Sequence, residues 1–165
     1  MIIKATNDHI EQILIAIEQA KEVFKINNID QWQNGYPNID TIKNDITLNK
    51  GYTFLIDNKV VAYFYISIDG EETYNNIYDG SWLTNKPYYV IHRLVVNKEY
   101  KNNNIASSIL EYIISLAKDN NYNIRVDTHN DNIPMKRLLD KYCFKYCGII
   151  KLVDHSLRNA YELNV

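Results

Sequence analysis

Apolar positions in this chain recur at two spacings, one of helices and one of strands. Ile10, Ile13, Leu14, Ile17, Ala20 and Phe24 fall three and four apart, as on one face of a helix. They predict a long amphipathic helix after a short strand over 1–5, with Thr6, Asn7 or Asp8 as cap. Asn27-Asn28-Ile29-Asp30 ends that helix, and residues 31–37, with Trp32, Gly35, Tyr36 and Pro37, read as a loop. Ile39, Ile42 and Ile46 mark a second helix over 38–48. Two strands follow, over 52–56 and 60–68, joined as a hairpin through Asp57-Asn58-Lys59. Residues 69–87 show no period and carry Tyr74, Tyr78 and Trp82 between Gly70, Gly80 and Pro87. A long aromatic loop beside a buried strand is more often functional than idle.

The second half turns on the stretch 89–116. Val90, Ile91, Leu94, Val95 and Val96 form a nearly continuous apolar run, the pattern of a strand buried on both faces. Residues 97–104 are a polar turn, after which Ile105, Ala106, Ile109, Leu110, Ile113 and Leu116 return to helical spacing. A strand that runs straight into a helix N-terminus presents free backbone N–H groups and the positive end of a macrodipole, which suits phosphate. Ile124 and Val126 then mark a strand over 123–127, and Asn130-Asp131-Asn132 caps a helix from Ile133 with Pro134 early in it. Met135, Leu138, Leu139 and Tyr142 are that helix's apolar stripe. Two last strands are expected over 144–152 and 160–163, with a turn over 154–159. With no repeat and no linker, residues 1–165 read as one domain, mixed α/β or α+β, with a sheet flanked by four helices.

Composition narrows the function. Hydrophobic content of 46% excludes disorder, and a net charge of -2 on scattered residues argues against a nucleic-acid surface. No segment has the length and purity of a membrane span, and residues 1–8 lack a signal-peptide pattern, so no membrane partner and a cytoplasmic location are expected. Cys143 and Cys147 are too few for a disulfide framework or a four-ligand zinc site. Both are expected as reduced core thiols, and no metal is expected.

The order of elements and three local motifs resemble the GNAT N-acetyltransferase superfamily. The family's pyrophosphate signature, Arg or Gln, two variable residues, Gly, one variable residue, then Gly or Ala, falls on Lys101-Asn102-Asn103-Asn104-Ile105-Ala106. Asn132 leads a helix ending near Phe144, as in the family's Asn-to-Gly-Phe segment, and Arg158-Asn159-Ala160-Tyr161-Glu162 is like its usual last strand. Departures are Lys101 for Arg or Gln, Asn104 for Gly, and Cys143 for the Gly before Phe144. Asn104 still permits the role, since Asn tolerates left-handed backbone better than other non-glycine residues. The resemblance implies a mostly antiparallel seven-stranded sheet splayed between its fourth and fifth strands, with acetyl-CoA as cosubstrate. The implied cofactor-binding residues are Leu94, Val95 and Val96, Lys101 to Ser107 (Lys101, Asn102, Asn103, Asn104, Ile105, Ala106, Ser107), and Asn132, Met135 and Leu139.

Acetyl transfer requires an amine to lose its proton, attack a thioester and release a thiolate. A backbone N–H near Leu94 to Val96 would hold the oxyanion. The Tyr that protonates the thiolate in many relatives is Leu139 here. Tyr142, on the same stripe, is a substitute acid or a core aromatic closing the helix. His129, at the end of the predicted fifth strand, is a general base or acid, or a histidine that bonds its own loop. His92 lines the acceptor pocket or is a satisfied strand residue. Trp32, Tyr36, Tyr78, Asp79 and Trp82 fall where the resemblance places the acceptor, and aromatics with an acid suit a cationic amine. The reading is an N-acetyltransferase of a small amine, as monomer or homodimer. The alternatives are a protein N-terminal or lysine acetyltransferase and a non-catalytic CoA-binding or sensory module.

Overall fold

The computed structural model describes all residues, Met1–Val165. Its strands are β1 Ile2–Lys4, β2 Gly51–Ile56, β3 Lys59–Ser67, β4 Tyr88–Val96, β5 Asn123–Thr128, β6 Lys145–Lys151 and β7 Leu157–Leu163. Its α-helices are α1 Ile10–Ile26, α2 Ile39–Thr47, α3 Ile105–Asn120 and α4 Ile133–Lys141. The seven strands form one mixed sheet in the order β1-β2-β3-β4-β5-β7-β6. β4 and β5 pair in parallel, over Tyr88–Ile91 and Asn123–Val126, while β1 with β2, β2 with β3, β5 with β7 and β6 with β7 are antiparallel.

The periodic elements are present, and the differences lie at their ends. The β2–β3 hairpin closes on Asp57 and Asn58 alone, both left-handed at φ 50 and 62, with Ile56 facing Lys59. This is the backbone a right-twisted hairpin demands of a two-residue turn. β7 starts at Leu157, three residues before its expected start at Ala160. Its Arg158 and Asn159 read as turn residues in sequence, but they pair with Ile150 and Ile149 of β6, and Arg158 is buried. The expectation for the thiols was half right: Cys147 is buried and Cys143 exposed. Cys143 follows the last turn of α4 at φ 63, where its N–H donates to the Asp140 carbonyl and that of Phe144 to Leu139. That left-handed helix stop turns the side chain outward.

The chain forms two compact units, Met1–Ile66 with Arg93–Ile109 and Ser67–His92 with Leu110–Val165. In the first, the inward stripe of α1 (Ile10, Ile13, Ala16, Ile17) packs with Ile42 of α2 and with Leu55, Val60, Tyr63 and Val95 of the strands. Asn38 caps α2 by accepting from the N–H groups of Asp40 and Thr41. In the second, Tyr74, Val90, Ile150 and Ala160 form the buried cluster, with Ile77, Trp82, Tyr88 and Leu152 against it. The segment between β3 and β4 holds a single turn of 3-10 helix, Glu72–Tyr74, and one backbone bridge, Tyr78 with Ile149. That bridge brings Gly80 against Gly148: a Cβ on Gly80 would lie 3.2 Å from the Gly148 Cα and 1.9 Å from the Cys147 carbonyl oxygen. No helix is long and apolar enough to cross a membrane.

Candidate active site

The first unit contains the turn from β4 into α3. Its start is pinned by Asn97, whose N–H donates to the Val61 carbonyl and whose side chain accepts from Glu99 N–H. Lys98 N–H donates to Gln19 Oε1 on α1. Beyond this anchor Lys101, Asn102, Asn103 and Asn104 are exposed. Asn102 and Asn104 are left-handed, at φ 70 and 56. The first helical hydrogen bond runs from Ser108 N–H to the Asn104 carbonyl, so Ile105 and Ala106 have no carbonyl a turn behind them to bond. Alternating backbone hand ahead of a helix N-terminus makes a concavity of N–H groups that suits an anion. Asn104 thus occupies the left-handed position that the signature assigns to glycine.

Just upstream lies a feature that periodicity did not reveal. Arg93, in the middle of β4, has φ 54. An L-residue in this region costs about 1–2 kcal/mol, and arginine has no local hydrogen bond to offset it. The side chain anchors the break instead. Its Nε and Nη2 donate to Asp45 Oδ2 and Oδ1 at 2.8 and 2.7 Å, Nη1 donates to the Tyr36 hydroxyl, and the guanidinium lies 4.4 Å from the Tyr65 ring centre. Tyr63 donates to the same carboxylate at 2.6 Å, and burial together with Asp45 holds its hydroxyl far above the ordinary phenol range. The Arg93 and Asp45 side chains are only 8% and 3% exposed. Leu94, Val95 and Val96, the expected oxyanion-holding segment, follow this break.

The second unit gathers Glu71, Tyr74, His92 and Asp127. His92 Nε2 lies 2.8 Å from Glu71 Oε2 and its Nδ1 lies 3.9 Å from Asp127 Oδ2. The fully buried Tyr74 donates to that same Asp127 oxygen at 2.7 Å and meets the imidazole edge-on at 6.2 Å. Its hydroxyl is held well above the usual phenol range, by burial first and by the Asp127 charge second. Glu71 is held below the usual carboxylate range, chiefly by its hydrogen bond to His92. The two carboxylates address opposite ring nitrogens and do not converge on one point, and the fold holds no set of three metal-ligating side chains. Glu71, Tyr74 and Asp127 were not read as site residues, because Glu71 and Tyr74 lie in the segment before β4 and Asp127 on β5, more than 50 residues on, and only the fold sets them around His92.

Other expected residues are placed as follows. His129 accepts a hydrogen bond at Nδ1 from Asp131 N–H, 3.1 Å, within its own turn. Tyr142, at the end of α4, donates to Glu111 Oε1 at 2.7 Å. Asn132 caps α4 by accepting from Met135 N–H, Met135 is half-buried and Leu139 is fully buried. Trp32, packed edge-on to Phe24, and the exposed Tyr36 belong to the first unit. Tyr78, Asp79 and Trp82 belong to the second, where Trp82 donates to the Tyr74 carbonyl and Tyr78 and Asp79 are exposed.

Comparison with known proteins agrees with this architecture. The profile of the Acetyltransferase (GNAT) family matches residues 17–143. A GNAT-family acetyltransferase structure from Streptococcus agalactiae 2603 superposes with a TM-score of 0.91 at 30% identity, covering 100% of this chain and 95% of that one. A Staphylococcus aureus Mu50 structure described as an acetyltransferase has a TM-score of 0.75 at 28% identity, over 99% and 98% of the two chains. The ribosomal-protein-alanine N-acetyltransferase from Brucella melitensis shares the fold, with a TM-score of 0.69 at 13% identity over 100% and 99%. No curated protein matches the sequence significantly. Fold and neighbours define an acyltransferase. More particularly, the chain belongs to the acetyltransferase (GNAT) family, whose members use acetyl-CoA.

Proposed function

We propose that the protein transfers the acetyl group of acetyl-CoA to a primary amine of a small molecule, by direct attack of the amine on the thioester. The observation that carries this reading is the pair of left-handed asparagines, Asn102 and Asn104, at the start of α3 directly after β4. Backbone N–H groups from Asn103 to Ser107 would hold the pyrophosphate, and Lys101 would add a positive charge at the rim. Bound acetyl-CoA supplies an activated acyl group with a thiol as its leaving group. A backbone N–H from Leu94 to Val96 would take the negative charge that develops on the thioester oxygen, a fixed dipole that needs no reorganisation. Tyr142 is the proposed proton donor to the departing sulfur, and Asn132, Met135 and Leu139 the side of α4 that serves the cofactor.

A small acceptor is supported by how firmly the segment before β4 is held within its own unit. Tyr74 bonds Asp127, Trp82 bonds the Tyr74 carbonyl, Leu83 N–H donates to the buried Glu162, and Tyr78 bridges to Ile149. A segment so fixed walls a pocket better than it lines an open groove. Its aromatic residues, with Asp79, suit a cationic amine.

The test is to incubate the purified protein with acetyl-CoA and follow free thiol against a panel of small amines and of peptides with free N-termini or lysines. Turnover on small amines is expected. Turnover on peptides alone would replace the small acceptor by a protein one, and cofactor binding without any turnover would leave a CoA-binding module.

A further inference from the structure

We propose that His92 takes the proton from the acceptor ammonium, and that Glu71 and Asp127, with Tyr74 behind Asp127, position its ring for that task. The proposal rests on the acetyltransferase reading above and names the proton acceptor within it.

The argument is one of hydrogen-bond capacity. A neutral imidazole has one N–H and one basic nitrogen. At 2.8 Å from Glu71, Nε2 is placed to donate its proton to the carboxylate, which leaves Nδ1 as the basic atom. Nδ1 faces Asp127 at 3.9 Å, too far for a direct hydrogen bond but close enough for the carboxylate to stabilise a charge appearing there. His92 lies between two carboxylates, one at each ring nitrogen.

Asp127 is itself fixed by the buried Tyr74 hydroxyl, so its charge cannot swing away. The ring keeps 20% of its surface exposed, so it is reachable, while Asp127 keeps 12% and Glu71 27%. His92 directly precedes Arg93, so it stands on the strand that continues into the proposed oxyanion-holding segment. His129, by contrast, spends Nδ1 on Asp131 N–H in its own turn. Among the charged and titratable groups set around His92 are Glu71 and Tyr74 from the segment before β4 and Asp127 from β5.

The proton count closes. The amine nitrogen forms the bond to the acyl carbon as the carbon–sulfur bond breaks and its electron pair leaves on sulfur. Between ammonium and amide the nitrogen sheds two protons: one ends on the thiol, and His92 takes the other and returns it to solvent.

The experiment measures kcat/KM from pH 6 to 10 for an aliphatic primary amine with the wild type, His92→Ala and His92→Gln, alongside the acetyl-CoA Kd. At pH 7, His92→Ala should lose about 10²- to 10⁴-fold in turnover, the range for a removed general base, with Kd changed less than about twofold. The loss should shrink as pH rises, because hydroxide then supplies the deprotonated amine, and added imidazole should restore part of the rate. Glu71→Gln and Asp127→Asn should reshape the pH profile of kcat/KM and leave Kd alone. If His92→Ala unfolds, His92→Gln, which keeps a donor toward Glu71, carries the same pH test. A loss that is constant with pH and not rescued by imidazole, or no loss at all, overturns the proposal. Wild-type turnover is the separate arm: if no amine is acetylated, the acetyltransferase reading falls and this proposal with it.

Discussion

Removing the Asp45 carboxylate is the most direct test of how the break in β4 is held. Asp45 is 2% exposed and accepts three hydrogen bonds, two from Arg93 and one from the fully buried Tyr63. Asp45→Ala leaves a guanidinium 8% exposed without a counter-charge and a buried hydroxyl without an acceptor. Breaking one side of a buried pair costs about 3–5 kcal/mol, and an orphaned hydroxyl about 1–3 kcal/mol. The two share one carboxylate and do not add in full, so a total near 4 kcal/mol is expected. For a chain of this size that lowers Tm by about 8–16 °C, at about 2–4 °C per kcal/mol. Urea unfolding followed by circular dichroism should show the midpoint falling with the slope unchanged. The deficit should persist in 1 M salt, about the level that screens exposed pairs. Replacing both partners with apolar residues, as in Asp45→Leu with Arg93→Met, should recover much of the loss, because no buried charge remains. A deficit under about 1 kcal/mol, or one abolished by salt, would mean that the pair is too well solvated to anchor the break.

Three further outcomes follow from local geometry. Asn104→Gly should keep or improve acetyl-CoA binding, since φ 56 costs glycine nothing, whereas Asn104→Val and Lys101→Glu should each weaken it; calorimetric titration measures this, and an unaffected Kd in both would move the pyrophosphate site elsewhere. Cys143→Gly at φ 63 should relieve about 1–2 kcal/mol of left-handed strain against about 0.5–1 kcal/mol of added backbone entropy, a small gain in Tm; a lower Tm would show that the thiol packs favourably. Glu71 has its carboxyl held below its ordinary value in the fold, so the unfolded chain binds its proton first and this stabilisation is present above the unfolded value. It is lost as pH falls through the lowered one. Glu71→Gln should therefore be less stable than wild type at pH 7, with the gap closing at acid pH in thermal melts; a gap constant with pH would refute the linkage.

Most of the fold was legible because burying one face of a helix or both faces of a strand writes a local period into the sequence. α1, α2, α3 and α4 and the core of β2, β3, β4, β5 and β6 all follow it. Periodicity read β7 short because Arg158 and Asn159 look like turn residues until they pair with β6 and Arg158 is buried, although the resemblance placed both in the last strand. The left-handed turn before α3, where the anion site is proposed, was legible in outline, since strand, polar turn and helix are consecutive and Asn is a residue that tolerates a left-handed backbone. Arg93 gave no signal: it sits inside an apolar run, and its left-handed backbone is stabilised by Asp45, 48 residues away.

The sequence by itself therefore determined the element order, the family resemblance and the polar turn that leads β4 into α3, all of which depend on residues near one another along the chain. Tertiary structure alone decided that Arg93 takes a left-handed backbone within β4 and that His92 stands between Glu71 and Asp127. The physical reason is that charge and hydrogen-bond complementarity act through space. A carboxylate 21 residues away in sequence can lie 2.8 Å away in the fold, and no local period records that distance.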